Sequence, residues 1–350
     1  MKTALTDKLA ASGAPIADYF GGDTAVRFGD SAAELAALTS GCGVYDLGWR
    51  GKLIVTGEDR VRWLNGMVTN NVKDLQPGQG NYNFVLSAQG RIQADMFLYQ
   101  RGDHILLDTD RSQVEGLMAL LDRFIIMDDV ELADARDKLT AVGVAGPDAA
   151  QVLQKAGIKP PSQPLQLVDS VLNELGISVV LKSTMPQPAF EIWSNPDNAA
   201  AIWDTLVAAG AIAVGCEALE QYRILSGVPK VGPDIRGKDL PQETEQKQAI
   251  AFGKGCYIGQ EIVERIHARG ILHRTFTGFV LQQAAETGAK IEADGKPVGE
   301  LTSVASIPRN GSSTLLGLGY IRREAAAPGN QVSIGGAPAT VAPLPFRFQD

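Results

Sequence analysis

One cysteine of the chain lies in a setting that could activate its thiol. It belongs to the stretch Lys254-Gly255-Cys256-Tyr257-Ile258-Gly259-Gln260-Glu261. Apolar residues then recur at helical spacing from Ile262 to Ile266, so the pattern predicts a helix that begins after Gly259. Cys256 would lie close to the positive end of a helix dipole and to the ammonium of Lys254, and both favour the nucleophilic thiolate. The alternative is a buried cysteine that packs as a small hydrophobic residue.

A carboxylate and a phenol could meet across a β-hairpin. Residues 81–87 and 91–100 have the pattern of two strands, and a two-residue loop at Ala88-Gln89 would place Tyr82 directly opposite Asp95. Asp95 would then lie on a partly apolar face, where a carboxylate must be paired or must have a raised pKa that suits proton transfer. The alternative is an exposed aspartate on an edge strand.

Two further charged residues are candidates for ligand binding. Glu191 lies in the strand-like apolar run 190–193, and Arg223 carries a planar guanidinium that suits carboxylate or carbonyl oxygens. Each has a simpler explanation. Glu191 could face solvent from the polar side of its strand, and Arg223 could pair with Glu220, which lies three residues earlier on a predicted helix.

The composition limits the classes of function. The chain has 350 residues, which is enough for roughly two or three domains. Its formal net charge of -8 and pI of about 5.1 argue against a general nucleic-acid or anionic-membrane surface. One local basic cluster remains as a candidate nucleic-acid site, with a solvated helix face as the simpler explanation: Arg265, His267, Arg269, His273 and Arg274.

The cysteines and the apolar runs indicate a cellular compartment. The 3 cysteines, Cys42, Cys216 and Cys256, are far apart, which suits a reducing environment. No apolar run approaches the ~20 residues of a membrane span, and residues 1–15 lack the apolar core of a signal peptide. We therefore expect a cytoplasmic protein without a membrane partner. The chain has no Cys-x-x-Cys or His-x-x-x-His pair, which predicts no dedicated metal site.

The apolar patterns predict an α+β fold with two similar lobes. Both halves of the region before residue 231 follow the split β-α-β-β-α-β arrangement of ferredoxin-like domains, as a repeat of elements rather than of residues. The predicted strands are 52–56, 81–87, 91–100, 140–145, 177–181, 189–193 and 212–215. The predicted helices are 58–65, 111–127 and 197–209.

The last part of the chain has a different pattern of apolar and turn residues. Short apolar runs alternate with turn signals from residue 274 onward, which predicts a small C-terminal antiparallel β-barrel. We therefore predict a first lobe at 1–138, a second lobe at 139–231 and the barrel at 274–350. The connector 232–273 is predicted to wrap back onto the first lobe, with a flexible linker as the alternative.

Ordered motifs along the chain resemble the YgfZ-type folate-binding proteins, which are relatives of the glycine-cleavage T protein. The resemblance covers roughly residues 40 to 345 and is most specific in the cysteine motif. The other stretches that carry it are 43–47, 51–57, 68–72, 90–95, 222–224, 227–229, 234–235 and 240–243.

The resemblance implies a role for each candidate residue. The two lobes would surround a pocket for tetrahydrofolate or a derivative, with Asp95 beside the reactive nitrogen and Tyr82 in the wall. Glu191 would accept the paired N–H groups of the pterin in bidentate fashion, and Arg223 would also contact the ligand. Cys256, with Asp95, would be the candidate for any catalytic step.

Three departures from the T-protein pattern argue against aminomethyl transfer. That enzyme usually has two aspartates where this chain has Ala94-Asp95, and it has an acid in place of Cys256. The asparagine that the T protein contributes has no clear match in the stretch 107–110. Folate binding is less affected by these changes than the reaction is.

The sequence leaves three functions open. The resemblance implies a tetrahydrofolate-binding accessory protein that supports iron-sulfur cluster assembly or repair, with assembly proteins or client enzymes as partners. The second hypothesis is a folate-dependent one-carbon transferase, in which Asp95 assists at nitrogen and Cys256 holds or receives the group. The third is an RNA- or protein-binding module, linked to tRNA modification, that uses the basic cluster.

Overall fold

A computed structural model describes residues 1–182, 185–270, 272–309 and 312–347. The chain forms two compact units. The first unit combines Met1–Asn83 with Ala94–Leu219, and the second combines Phe84–Gln93 with the chain from Glu220 onward. Within the described residues, no helix has the length and apolar character needed to cross a membrane.

The helices and strands are numbered in chain order. The helices are α1 Thr6–Ala11, α2 Ser31–Ser40, α3 Arg60–Met67, α4 Arg111–Asp122, α5 Ala149–Lys155, α6 Ala199–Ala208, α7 Cys216–Leu225 and α8 Gln260–Arg269. The first strands are β1 Ile16–Tyr19, β2 Gly22–Ala25, β3 Gly43–Asp46, β4 Arg50–Thr56, β5 Gly80–Leu86, β6 Ile92–Gln100, β7 Ile105–Asp110, β8 Glu131–Asp134 and β9 Thr140–Ala145. They are followed by β10 Leu167–Leu172, β11 Leu175–Lys182, β12 Ala189–Ser194, β13 Ile212–Ala213, β14 Arg274–Leu281, β15 Lys290–Ala293, β16 Lys296–Arg309, β17 Ser312–Arg322, β18 Gln331–Ile334 and β19 Ala337–Ala342.

The first lobe is built on the sheet β5-β6-β7-β4-β8. Without its edge strand β5, the order β6-β7-β4-β8 is that of the predicted ferredoxin-like β-α-β-β-α-β unit. Its strands β7 and β8 were not predicted, and the predicted strand 81–87 is the added edge strand β5. Helix α4 packs closely on this sheet at Gly51, where a Cβ would lie 2.3 Å from Cγ2 of Val114. The buried side chains Leu53, Val55 and Leu117 form part of this helix–sheet core.

The second lobe repeats this arrangement with one insertion. Its sheet has the order β10-β11-β12-β9-β3-β13, so β10 is an added edge strand, like β5 in the first lobe. Strand β3 is inserted between β9 and β13, parallel to β13 and antiparallel to β9. Because β3 comes from residues 43–46, part of the predicted first lobe contributes to the sheet of the second, and residue 138 does not separate the two sheets. The α5 and α6 helices supply core residues such as Leu153, Ile202 and Leu206.

The barrel prediction is confirmed. Strands β14 to β19 close in the order β14-β17-β16-β15-β18-β19 around a core that includes Phe279, Leu301 and Ile321. The strands β15 and β19 have a weak strand pattern in the sequence, because charged or alanine residues interrupt their apolar runs.

The connector 232–273 is packed rather than free. Its Asp239 carbonyl accepts a hydrogen bond from the Ile92 backbone at 3.1 Å, and the carbonyl of Lys238 accepts one from the Arg91 guanidinium. Gly259 lies so close to the β5-β6 hairpin that a Cβ would be 2.6 Å from the Ser87 carbonyl oxygen. The connector therefore packs on residues 84–93, the tip of the hairpin that begins in the first lobe.

Helix α4 ends earlier than its amphipathic pattern predicted. It stops at Asp122 rather than at residue 127, and the Trp63 indole N–H donates to the Phe124 carbonyl at 3.0 Å. That carbonyl therefore has a partner outside the helix. The apolar residues beyond, Ile126 and Met127, are 82% and 94% exposed.

Candidate functional site

The predicted contact between Tyr82 and Asp95 is present. The two residues lie on β5 and β6, and the Tyr82 hydroxyl donates to Oδ2 of Asp95 at 2.7 Å. Gln113 of α4 donates its side-chain amide to the other carboxylate oxygen at 2.9 Å. The Thr109 hydroxyl donates to the Asp95 carbonyl oxygen at 2.7 Å and fixes the backbone. Asp95 is therefore a paired, partly buried carboxyl group and not a solvated aspartate on an edge strand.

This environment prepares Asp95 to exchange a proton. Burial, and after it the charge of Asp110, raises the pKa of the Asp95 carboxyl, against the hydrogen bonds from Gln113 and Tyr82 that lower it. Burial and the Asp95 charge also raise the pKa of Tyr82 well above its usual value, so the phenol stays protonated and remains the donor. A carboxyl group with a raised pKa at a partly open position can serve as a general acid or base.

Beside this pair lies a buried ionic network centred on Asp108 of β7. Asp108 is fully buried, and its carboxylate lies 2.8 Å from the ammonium of Lys52, 2.9 Å from the guanidinium of Arg50 and 3.2 Å from the ammonium of Lys182. Burial alone would raise the pKa of Asp108, but the three cations hold it below its usual range. Burial lowers the pKa of Lys52, against the attraction of Asp108.

Glu191 joins the same network from the second lobe. It lies on β12 and is 5% exposed. The Trp193 indole N–H donates to Oε2 at 2.8 Å, and the ammonium of Lys182 lies 3.3 Å from Oε1. Each carboxylate oxygen therefore has one protein donor, which fixes the orientation of the group and leaves a second lone pair on each oxygen for a ligand. The solvent-facing alternative for Glu191 is thus not what the structure has.

Aromatic side chains border these charges. The ammonium of Lys182 lies 3.3 Å from the ring centre of Phe97, whose ring is 4.8 Å from that of Tyr82. Tyr99 meets Trp193 edge to face at 5.0 Å. Because β6 supplies Phe97 and Tyr99 and β12 supplies Trp193, both lobes contribute aromatic rings that pack against the charged groups. Such a combination suits a planar heterocycle that carries N–H donors.

Arg223 belongs to the second compact unit and has several partners there. Its Nε and Nη2 donate to Glu220 at 2.9 and 2.6 Å, Nη1 donates to Asp234 at 2.6 Å and to the Val228 carbonyl, and Nη2 also donates to Ser303 at 2.8 Å. The intrahelical pair with Glu220 is thus present, and all five N–H groups of the guanidinium have acceptors on the protein. A folate contact for Arg223 stays a prediction, and it would require exchange of one of these bonds.

The cysteine motif forms an exposed turn before α8, in the second compact unit. Cys256 is exposed, whereas Tyr257 is 7% exposed. The ammonium of Lys254 lies 4.9 Å from the ring centre of Tyr257, and Gly255 precedes the cysteine in the exposed turn. Gly259 is the N-cap of α8 with φ of 83°, a left-handed conformation that favours glycine, and Gln260 and Glu261 begin the helix as predicted. The buried-thiol alternative therefore does not apply to Cys256.

The basic cluster is smaller than predicted. Arg274 is not a solvated basic residue, because its guanidinium donates to Glu243 at 2.8 Å and to Asp239 at 2.7 Å. His267 stacks on Phe252 with ring centres 3.8 Å apart. The carboxylates of Glu243 and Asp239 thus pair with Arg274, one of the cations that the RNA-binding hypothesis requires.

Sequence reasoning missed the ionic network. Its members are Arg50, Lys52, Asp108, Asp110 and Lys182. Isolated charged residues within apolar strands were the available signal, because a buried charge needs partners. The sequence does not show which strands supply them. Within the described part of the chain, no group of three or more His, Cys, Asp or Glu side chains is arranged to hold a metal ion.

Two family models match the chain. The model described as GCVT N-terminal domain matches residues 5–254, and the one described as Glycine cleavage T-protein C-terminal barrel domain matches residues 274–347. Together they cover both lobes, most of the connector and the barrel.

Curated relatives match over nearly the whole chain. A protein of Arabidopsis thaliana named "Putative transferase, chloroplastic" is 30% identical over 94% of this chain and 76% of its own length. The aminomethyltransferase of Streptomyces coelicolor is 26% identical over 99% of this chain and 97% of that enzyme. The aminomethyltransferase of Geobacillus kaustophilus is also 26% identical, over 99% of this chain and 98% of that enzyme.

A solved structure has the same fold. The crystal structure of glycine cleavage system aminomethyltransferase T from Bartonella henselae matches with a TM-score of 0.89, over 99% of this chain and 98% of that one. The sequence identity is 19%, so this likeness concerns the fold.

Proposed function

The chain belongs to the glycine cleavage T-protein family, and from this premise we propose that it binds tetrahydrofolate or a derivative and transfers a one-carbon group to or from it. The names of its relatives favour this transferase hypothesis over the iron-sulfur accessory role that the sequence motifs implied. Assignment to the YgfZ-type subfamily and a cytoplasmic location stay predictions.

The observation that carries the proposal is the fixed orientation of Glu191. Trp193 and Lys182 hold one carboxylate oxygen each, so the group is preorganised as a bidentate acceptor. A pterin ring presents a ring N–H and an exocyclic amino group side by side, which matches a bidentate carboxylate. The ring of Phe97 packs between Tyr82 and Lys182 and is an apolar neighbour of these groups for the rest of the heterocycle.

Asp95 supplies the proton chemistry in this proposal. Transfer of a one-carbon unit at a folate nitrogen changes the protonation of that nitrogen, so it needs a group that can take up and release a proton. The raised pKa of Asp95 suits this task, and Tyr82 and Gln113 orient the carboxyl group. We assign Asp95 as the catalytic residue and Tyr82 and Gln113 as positioning residues.

The direct test is a transfer assay with the purified protein. An aminomethylated lipoyl carrier and tetrahydrofolate are supplied, and release of ammonia is followed together with formation of methylene-tetrahydrofolate. We expect turnover that Asp95→Asn abolishes while tetrahydrofolate binding is retained. Ala94 and Cys256, which replace acids of the T protein, predict a rate below that of a true T protein. Turnover that is unchanged in Asp95→Asn would remove the assigned catalytic group.

A second candidate function rests on Cys256. Its thiol is exposed within the motif that resembles the folate-binding accessory proteins of iron-sulfur metabolism. For this candidate we expect Cys256→Ala to keep the fold and the folate affinity but to lose support of iron-sulfur enzymes in cells that lack the native protein. Full complementation by Cys256→Ala would reject this role for the thiol.

A further inference from the structure

The sheet of the first lobe ends in a strand whose outer edge is unpaired. Strand β8 lies last in the order β5-β6-β7-β4-β8, and no strand among the described residues pairs with its outer side. Its residues Glu131, Ala133 and Asp134 are exposed. An exposed edge of this kind is a template for a further strand.

The pairing with β4 shows which backbone groups point outward. In β8, Leu132 lies opposite Val55 and Asp134 lies opposite Leu53. The Ala135 N–H donates to the Lys52 carbonyl at 2.9 Å, and hydrogen-bonded pairs alternate along an antiparallel ladder. The N–H and C=O groups of Leu132 and Asp134 therefore face away from β4, toward the open edge.

A groove runs beside this edge. It has a volume of about 510 Å³ and lies between the end of α4 and the start of β8. Its lining residues are Met118, Ala119, Asp122, Ile125, Val130, Glu131 and Leu132. Because side chains alternate across a sheet, a strand added to β8 would place the residue opposite Leu132 in this groove and its neighbours on the opposite face. The groove therefore selects an apolar residue at alternate positions.

The apolar surface continues beyond the groove. Ile126 and Met127 are 82% and 94% exposed, and Phe124 is 38% exposed. Large apolar side chains that stand together at this exposure mark interaction surfaces. They follow α4 directly and precede β8, so they belong to the same edge of the lobe.

The charge around the groove is acidic. The segment 122–131 carries Asp122, Asp128, Asp129 and Glu131 against the single base Arg123. Asp128 is paired with Arg62 at 2.5 Å, whereas Asp122 and Glu131 have no ion pair among the described residues. A basic residue on an added strand would meet Glu131, and opposite charges across neighbouring strands are stabilising.

A second copy of the chain does not fit this edge well. Antiparallel pairing of β8 with itself must match its outward-facing residues, so Leu132 of one copy would lie opposite Asp134 of the other. That pairing places a carboxylate beside the apolar side chain of Leu132 and supplies no base for Glu131. We propose that the open edge of β8 docks an extended segment of a partner protein in which basic residues alternate with apolar ones. The segment adds as a sixth strand, with apolar side chains in the groove and basic side chains on the opposite face, against Glu131.

The test uses a labelled synthetic peptide in which lysine alternates with isoleucine. Its binding to the full chain is followed by fluorescence anisotropy, against a scrambled peptide of the same composition and a peptide with glutamate in place of lysine. We expect saturable binding of the lysine peptide and weak binding of the other two. Binding of the scrambled peptide with the same affinity would overturn the proposal, because it would show charge attraction without strand pairing.

Two variants locate the binding. Glu131→Lys should lower the affinity for the lysine peptide about five- to tenfold and raise the affinity for the glutamate peptide, since it reverses the cross-strand charge. Glu286→Lys makes the same charge change on the other compact unit and should leave both affinities unchanged. Leu132→Pro removes an outward N–H but keeps the hydrogen bonds between β8 and β4. It should also lower the affinity for the lysine peptide. Equal affinities in all three variants would contradict docking at β8, as would a dimer of the chain that Glu131→Lys dissociates.

Discussion

The ammonium of Lys182 lies 3.3 Å from the carboxylate of Glu191 and 3.2 Å from that of Asp108. Glu191 belongs to the second lobe and Asp108 to the first, so the Lys182 side chain links the proposed ligand acceptor to the charge network of the other lobe. The orientation of Glu191 should therefore depend on Lys182, although Lys182 itself need not contact a ligand.

Replacement of Lys182 tests this dependence. Lys182→Met removes one of the two donors of Glu191 and should weaken tetrahydrofolate binding by about 10- to 150-fold, the effect of losing a hydrogen bond to a charged group. Lys8→Met, which removes a half-exposed ion pair with Asp204, should leave binding unchanged. Calorimetric titration measures the tetrahydrofolate affinity of both variants. An unaltered affinity in folded Lys182→Met would show that Trp193 alone positions the Glu191 carboxylate.

The buried pair of Lys52 and Asp108 should be strongly coupled in stability. Asp108→Asn leaves the fully buried Lys52 ammonium without its carboxylate partner and should cost about 3 to 5 kcal/mol of unfolding free energy. Lys52→Met should cost less, because Arg50 and Lys182 still pair with Asp108. The double variant should cost less than the sum of the two. In the exposed pair Arg101 and Asp169, the same substitutions should cost under about 1 kcal/mol. Urea unfolding measures both cycles, and additive losses at Lys52 and Asp108 would be the contrary result.

Asp95 should lower the stability of the protein at neutral pH. A carboxyl group whose pKa is raised by folding binds its proton more tightly in the folded state, so stability falls as pH rises from the ordinary aspartate range through the raised pKa. Asp95→Asn should therefore be more stable than the parent protein at neutral pH, and the difference should vanish below about pH 4.

Asp169 provides the opposite case for the same measurement. Although burial opposes it, the hydrogen bonds from Ser178 and Arg101 lower the pKa of the Asp169 carboxyl. Its stabilising contribution is therefore present above the ordinary aspartate pKa and is lost as pH falls. Asp169→Asn should lose stability at neutral pH. The urea midpoint should therefore rise in Asp95→Asn and fall in Asp169→Asn, relative to the parent protein. A lower midpoint in both variants would contradict the account of Asp95.

The three thiols should react in the order of their exposure. Cys256 is exposed, Cys216 is half-buried and Cys42 is buried. Burial, and after it the charge of Asp148, raises the pKa of Cys42 to about 12, so its thiolate is scarce at neutral pH. Iodoacetamide labelling followed by peptide mass spectrometry should modify Cys256 first and Cys42 last. Early labelling of Cys42 in the folded protein would mean that this part of the second lobe opens readily.

Local contacts were predictable from the sequence and long-range ones were not. Tyr82 and Asp95 meet through a single hairpin, so local strand pairing was enough to predict that they are neighbours. The predicted two-residue loop was wrong, because the Ser87 N–H donates to the Arg91 carbonyl at 2.8 Å and the loop therefore includes Gly90, whose φ is 72°. The two lobes and the barrel followed from periodicity and turn signals. The partners of Asp108 come from β4 and β11, which are separated from it by long stretches of chain, and no local pattern specifies which distant strands will be neighbours.

One misjudged residue and one misjudged segment show a further limit. Arg274 was assigned to a basic cluster because His267 and Arg269 precede it, but it starts a barrel strand and its acids come from the connector. Residues 124–127 extended the apolar pattern of α4, although the backbone leaves the helix there. In both cases a sequence pattern continued past the end of a helix: the run of basic residues past α8, and the apolar pattern past α4.

The central claim is that Glu191 binds the heterocycle of tetrahydrofolate. Its most direct test is calorimetric titration of tetrahydrofolate into the parent protein, into Glu191→Gln and into the matched control Glu174→Gln, an exposed turn residue of the same lobe. Loss of one bidentate acceptor should weaken binding about 5- to 150-fold, or about 1 to 3 kcal/mol, in Glu191→Gln alone. Equal affinity in all three folded proteins would contradict the account and place the folate, if it binds, away from Glu191.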